Sequence, residues 1–325
     1  MIQLRLFLLL WLFPLLLFSQ EEYKKVSAKS GDGIHVLLNR YSLDTPELYK
    51  AFVELNKDKL GKKNYLVEGR YYLLPKSNYK KIKSFEIFGE DYKDVEIIDD
   101  ILKGAIYYIV AGHGGPDPGA QGKRNGHTLS EDEYAYDISL RLARDLISHG
   151  AIAYMITRDE NDGIRDDVYL PNDRDETIWK NKTIPRSANK KLRQRARVVN
   201  KLYKENKGRY QRMIVVHIDS RYEKQRVDIY GYYSSKSKKG KDFTWNLINT
   251  VEKKYAKVQP GRGFSGVAKS RDKLYMIKYT DPVTAFLELG NIQNKADQVR
   301  FTKYENRAAI AQWLTQGCII DYKNR

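Results

Sequence analysis

The chain of 325 residues has a single cysteine, Cys318, so no disulfide can form within it and the fold must stand on its hydrophobic core. Cys318 lies beside Ile319 and Ile320 near the C-terminus, where a lone thiol behaves as a small hydrophobe. Histidine is also scarce, with five copies. Acidic side chains are in deficit: 41 Asp and Glu against 58 Lys and Arg leave a net charge of +17. A field of that size favours an anionic partner without specifying its shape. The apolar run at residues 6–18, behind the single cation Arg5, falls short of the ~20 residues that a membrane-spanning helix needs.

A cation followed by a run of that length matches a secretory signal, so residues 1–20 read as a signal peptide. Cleavage near Ser19 or Gln20 is expected, although Leu17 fits the small-residue rule poorly. No cysteine stands there for lipid attachment. The remainder is therefore expected to be exported, with no stable membrane span after cleavage. Arg5 is the only charge in this segment, so the rest of the chain carries +16. Export argues against nucleic acid as the partner of that charge.

What is present is globular in class: 42% hydrophobic, 30% charged and 25 tyrosines, in a chain long enough for two modest domains. Ile106-Tyr107-Tyr108-Ile109-Val110 reads as a buried strand that breaks into Gly112-His113-Gly114-Gly115-Pro116-Asp117. His113 is thereby placed at the carboxyl end of a strand, where open α/β sheets bind their ligands. Ser130-Glu131-Asp132-Glu133 has the S-x-x-E form of a capping box and opens a helix that Gly150 stops. Residues 151–156 read as the next strand. Residues 160–190 are polar and without periodicity; such a stretch is either a functional lid or disorder. A cationic helix follows over 192–203, then a buried strand, 213–216, ending in His217. Residues 226–233 read as an exposed strand and 242–256 as a helix. The run 284–287 reads as a strand ending in Glu288, and 308–314 as the closing helix.

Strand ends at His113, His217 and Glu288, with a helix start at 131–133, bring imidazoles and carboxylates toward one sheet edge. Two histidines and a carboxylate with an open position form the ligand set of catalytic zinc. A further carboxylate can then act as general base on water. Carboxylates suit the positive end of any helix, so physics alone does not choose among Glu131, Asp132 and Glu133. His35, His127 and His149 follow no buried strand.

Two resemblances are carried by particular residues. Over 21–76, Gly31-Asp32, Leu55-Asn56 and Leu66 through Gly69 to Pro75 resemble the LysM module, although the usual threonine after Gly-Asp is Gly33 here. That likeness implies a strand, two helices and a strand that bind N-acetylglucosamine-containing chains. Residues 77–84 read as a linker, and 85–325 as a second domain. There, GHGGPDPGA (112–120), Glu131 with Asp137, Thr157-Arg158-Asp159, Arg195 with Asn200, His217, and Leu274-Tyr275 through Pro282 to Glu288 and Asn294 resemble the zinc-dependent N-acetylmuramoyl-L-alanine amidases. Departures are Val110-Ala111 for the usual Asp-Pro, Ile218-Asp219 where Ala-Asn is common, and the 290–294 ending.

The resemblance implies an α/β fold with a mixed central sheet and helices on both faces. It also implies zinc ligands at His113, Glu131 and His217, and a catalytic glutamate at Glu288. The register that matches Asp137 to the family's helix aspartate selects Glu131 over its neighbours. The implied substrate is peptidoglycan, glycan strand and stem peptide together, in a wall-remodelling or daughter-cell-separating role. A protein activator is a further implied partner, and the periplasm ranks ahead of full secretion. The 160–190 insertion is then expected beside the cleft, regulating access. The competing class is a wall-binding protein that keeps the fold without activity, against which the retention of all four polar residues speaks.

Overall fold

The computed structural model describes residues 23–41, 43–76 and 81–325. The expected signal peptide and the first half of the expected linker lie outside them. The chain divides into two units, one ending before Lys81 and one running from Lys81 to Arg325.

In the first unit, strand Lys25–Ser27 pairs antiparallel with Tyr71–Leu73, and helices Ile34–Arg40 and Pro46–Leu55 lie between them in sequence. Thr45 caps the second helix by accepting from Leu48 N, with Pro46 pre-set at its first position. Val26, Leu37, Leu38, Phe52, Tyr72 and Leu74 close a small core. Asn56 ties helix to strand: its side-chain oxygen accepts from Leu73 N at 2.7 Å and its amide donates to Leu73 O at 2.8 Å.

The second unit begins earlier than the expected linker allows. Lys81–Ser84 is a strand, paired with Asp94–Ile97. Behind it stands a six-stranded sheet: β1 Ile106–Ala111, β2 Ile152–Met155, β3 Gln211–Asp219, β4 Ile229–Tyr233, β5 Gly266–Ser270 and β6 Val283–Asn291. Their order is β5-β4-β6-β3-β1-β2. The pairs β6-β3, β3-β1 and β1-β2 are parallel, whereas β4 runs antiparallel to β6. The long helices are α1 Glu131–Ser148, α2 Ala188–Glu205, α3 Lys238–Val258 and α4 Tyr304–Lys323.

Alternation along the strands builds two cores. Tyr107, Ile109, Ile214, Val216, Ala285 and Leu287 share one with Leu142 of α1, Leu247 of α3 and Leu314 of α4. Tyr108, Val110, Met213, Val215 and Phe286 share the other with Ala196, Val199 and Leu202 of α2. Each large side chain so buried contributes roughly 1.5–3 kcal/mol. The architecture is the expected mixed sheet with helices on both faces.

Three local expectations change. Residues 229–233 are not an exposed strand but an internal one, between β5 and β6, with Ile229, Gly231 and Tyr232 buried. The polar lead-in Arg226-Val227-Asp228 disguised it. Ser130 precedes α1 but makes no side-chain cap, and Glu133 turns to Arg165 instead. The preceding loop replaces the box: Glu131 N donates to Ala120 O and Asp132 N to Pro118 O. The stretch 160–190 is folded, with Ile164, Leu170, Ile178 and Ile184 buried. Thr177–Ile178 pairs with Thr157–Arg158 and with Lys182–Thr183. Among the described residues, no helix is long and apolar enough to cross a membrane.

Candidate metal centre

Three consecutive parallel strands, β1, β3 and β6, end at one rim of the sheet. β1 runs into Gly112 and His113, β3 carries His217, and β6 carries Glu288, which is in register with His217 on the neighbouring strand. The period of two that buries Val216 and Leu287 on one face turns His217 and Glu288 to the other. Glu131, the first residue of α1, completes the group.

His113 Nε2 lies 3.2 Å from Glu131 Oε2, and His217 Nδ1 lies 2.7 Å from Glu131 Oε1. The two imidazole centroids are 4.9 Å apart, near perpendicular. One donor atom from each of the three residues falls within 4.8 Å of the others. Glu131 also accepts from Ala120 N and Ile218 N, so its carboxylate is held on both sides. The loop glycines permit this approach. A methyl at Gly112 would sit 2.3 Å from the His217 ring. At Gly119, where φ is +71°, it would sit 2.7 Å from Glu131 Oε2 and 2.8 Å from the His113 ring. His113 itself has φ +60°, a strained value for a side-chain-bearing residue.

Charge is distributed unevenly. Burial alone would lower the His113 imidazole, but hydrogen bonds to Asp117 and Glu131 outweigh it and raise it to about 9. Burial pulls His217 down, partly offset by Glu131. Glu131 is held well below the usual carboxylate range, its burial outweighed by the two imidazoles. Glu288 is pushed well above that range by burial and by the nearby charges of Glu131 and Asp219. Its Oε2 is buried and has no hydrogen-bond partner. Two imidazoles and a carboxylate around one point, beside an orphaned carboxyl oxygen, suit a divalent cation of borderline softness.

A cavity of about 160 Å³ opens on the two histidines, lined also by Lys191, Arg195 and Met276. Lys191 pairs with Asp117, which in turn lies 3.0 Å from His113 Nδ1 and leaves Nε2 facing the centre. Arg195 donates to the His113 carbonyl, and burial lowers its guanidinium to about 10. Lys191 belongs to none of the sequence motifs. Its signal is a cation four residues before Arg195 on the buried stripe of α2, where apolar residues are the rule. Asp132, Glu133 and Glu176 form a second buried group. Asp132 bonds Asn172, Glu133 bonds Arg165, and Glu176 accepts from Gly115 N at 2.6 Å. Burial and like charge push Asp132 to about 8, and burial pushes Glu176 to about 7. The remaining histidines stand apart: His35 pairs with Asp44, His149 with Asp99, and His127 stacks on Tyr169.

Residues 108–319 match the model of the N-acetylmuramoyl-L-alanine amidase family known as Amidase_3. The chain belongs to that family. It is thus an amidase of peptidoglycan, and the α/β architecture agrees. The CwlD amidase of Clostridioides difficile, solved in complex with the GerS lipoprotein, superposes with a TM-score of 0.52 at 19% identity, over 69% of this chain and 100% of that one. AmiC2 of Nostoc punctiforme aligns at 0.49 with 18% identity over 68% and 98%. Ami1 of Mycobacterium smegmatis aligns at 0.49 with 17% identity over 69% and 99%. At 19% identity the likeness to the C. difficile amidase is one of fold. No curated protein sequence matches the amidase.

Proposed function

We propose that this amidase hydrolyses the amide between N-acetylmuramic acid and L-alanine with a zinc ion held by His113, Glu131 and His217, and with Glu288 as general base. The observation that carries the reading is the convergence of those three donors within 4.8 Å, beside the buried, unpartnered Glu288 Oε2. Zinc bound there supplies a Lewis acid that acidifies water and polarises an amide carbonyl. Glu288 receives the proton of the attacking water and delivers it to the departing amine, so the base that begins the turnover ends it as the acid. Asp117 and Lys191 fix the ring of His113, and Arg195 fixes its backbone.

The first unit, in this reading, holds N-acetylglucosamine-containing strands through its strand–helix–helix–strand fold. Residues 1–20 direct export, to the periplasm before full secretion, and the +16 remainder keeps the enzyme on an anionic wall surface. The role is wall remodelling or daughter-cell separation. The lipoprotein in complex with the C. difficile amidase supports a protein partner here also. Replacing Glu288 with Gln should cut hydrolysis of purified peptidoglycan by about 10²–10⁴-fold while one zinc per chain remains bound by elemental analysis. Turnover at the normal rate in that variant would remove Glu288 as the base. Loss of zinc together with activity would move it among the ligands.

A further inference from the structure

The helix that supplies Lys191 and Arg195 to the catalytic cavity carries a second set of cations on its outer face. Lys190, Arg193, Arg197, Lys201 and Lys204 are all exposed, and their spacings of three and four set them in one stripe. At 1.5 Å per residue the stripe is about 21 Å long. Like charges at these spacings weaken a helix. Among the described residues only Lys201 has an acid within reach, Glu205 at 3.9 Å. Two grooves, of about 570 and 550 Å³, flank the stripe, and Arg193 and Arg197 form the crest that lines both. Tyr275 and Tyr279 wall the larger groove, their rings 4.5 Å apart, with Tyr279 49% exposed. Met276, the neighbour of Tyr275, lines the catalytic cavity itself.

We infer that this crest and its tyrosine wall form an exosite for an anionic glycan: a peptide-bearing sugar strand whose stem peptides carry carboxylates, guided along α2 to the His113, Glu131 and His217 centre. Repeated anionic substituents answer cations repeated at each helical turn, and the tyrosine rings give flat apolar faces to the C–H faces of sugars. Two concave grooves suit a strand and not a flat membrane. The choice of a sugar strand over a nucleic acid strand rests on the amidase reading.

The test uses the full chain carrying Glu288→Gln, so that strands stay intact, and peptide-bearing glycan strands purified from peptidoglycan. Arg193→Glu/Arg197→Glu/Lys201→Glu together should weaken strand binding about 10-fold or more and flatten its dependence on salt. Lys241→Glu/Lys253→Glu/Lys257→Glu on α3, across the sheet, makes the same change in net charge and should leave strand binding within about 2-fold. Tyr275→Ala/Tyr279→Ala should weaken binding at high salt, where the charges are screened. Binding of a neutral N-acetylglucosamine oligomer should not respond to the crest variant. Equal losses from the two triple variants, no loss from the first, or tighter binding of single-stranded DNA of equal charge would each overturn the exosite. Hydrolysis of a small muramoyl peptide by the unmodified chain reports on the amidase reading separately. Hydrolysis without a crest effect sinks the exosite alone, and a crest effect without hydrolysis sinks the amidase reading alone.

Discussion

Glu131, Asp132 and Glu133 are consecutive carboxylates with three different fates. A helix turns about 100° per residue, so Glu131 meets the imidazoles while its neighbours meet Asn172 and Arg165. That division was invisible in the sequence, because it depends on partners up to 86 residues away. His113 and His217 were legible, since each closes a hydrophobic strand. Asp117 stood in the glycine loop without a role until Lys191, 74 residues on, came to meet it. Further along α1, Asp145 shows what an unrewarded carboxylate costs. Burial lifts it from 3.8 to about 6, against the pull of Arg144, His149 and Arg141. Its folded value is raised, so its contribution is most favourable below pH 4 and is lost as pH climbs through 6. Asp145→Asn should therefore stabilise the protein by about 1–2 kcal/mol at pH 8, allowing for solvent access, and by nothing at pH 4. Thermal melts at the two pH values check this, and an equal gain at both would contradict it.

The insertion after β2 is the element whose behaviour departs furthest from its composition. Its polar residues are spent on a buried network. Asp137 of α1 lies 2.8 Å from Arg141 and 2.7 Å from Arg307 of α4, and accepts from Arg165 N at 2.9 Å. Arg307 donates in turn to the carbonyls of Arg165 and Asp167. Periodicity cannot announce a segment fixed by ions and carbonyls instead of an apolar stripe. Asp137→Ala would leave two guanidinium groups buried against each other, at a cost of about 3–5 kcal/mol. Residues 160–187 should then exchange amide hydrogens faster than the six-stranded sheet. Uniform exchange across both would show that the network does not hold the insertion. The helices, by contrast, were legible in kind, and α1 in length as well, but the others run past their expected ends. α4 runs from Tyr304 to Lys323, well beyond the 308–314 stretch where its stripe is plainest.

At the scale of the molecule, the first unit has a core of its own, and the second has the two that sandwich its sheet. Calorimetry should show two transitions. Phe52→Ala, which empties the centre of the smaller core, should lower only one of them, by about 3–5 kcal/mol. A shift in both would mean that the units melt as one. The sheet was the most legible part of the chain, because parallel strands buried on both faces must be hydrophobic without interruption. The short edge strand β5 and the antiparallel β4 lack that mark, which is why β5 and the internal position of β4 did not show. The same rule of alternate faces has a consequence for how this enzyme tolerates change. Deleting any single residue between Met213 and Val216 would rotate the remainder of β3 by half a turn, sending the imidazole of His217 into the oily layer under α1 and α3. Whether the count of residues in that strand is odd or even is thus as much a part of the proposed metal centre as the ring it carries.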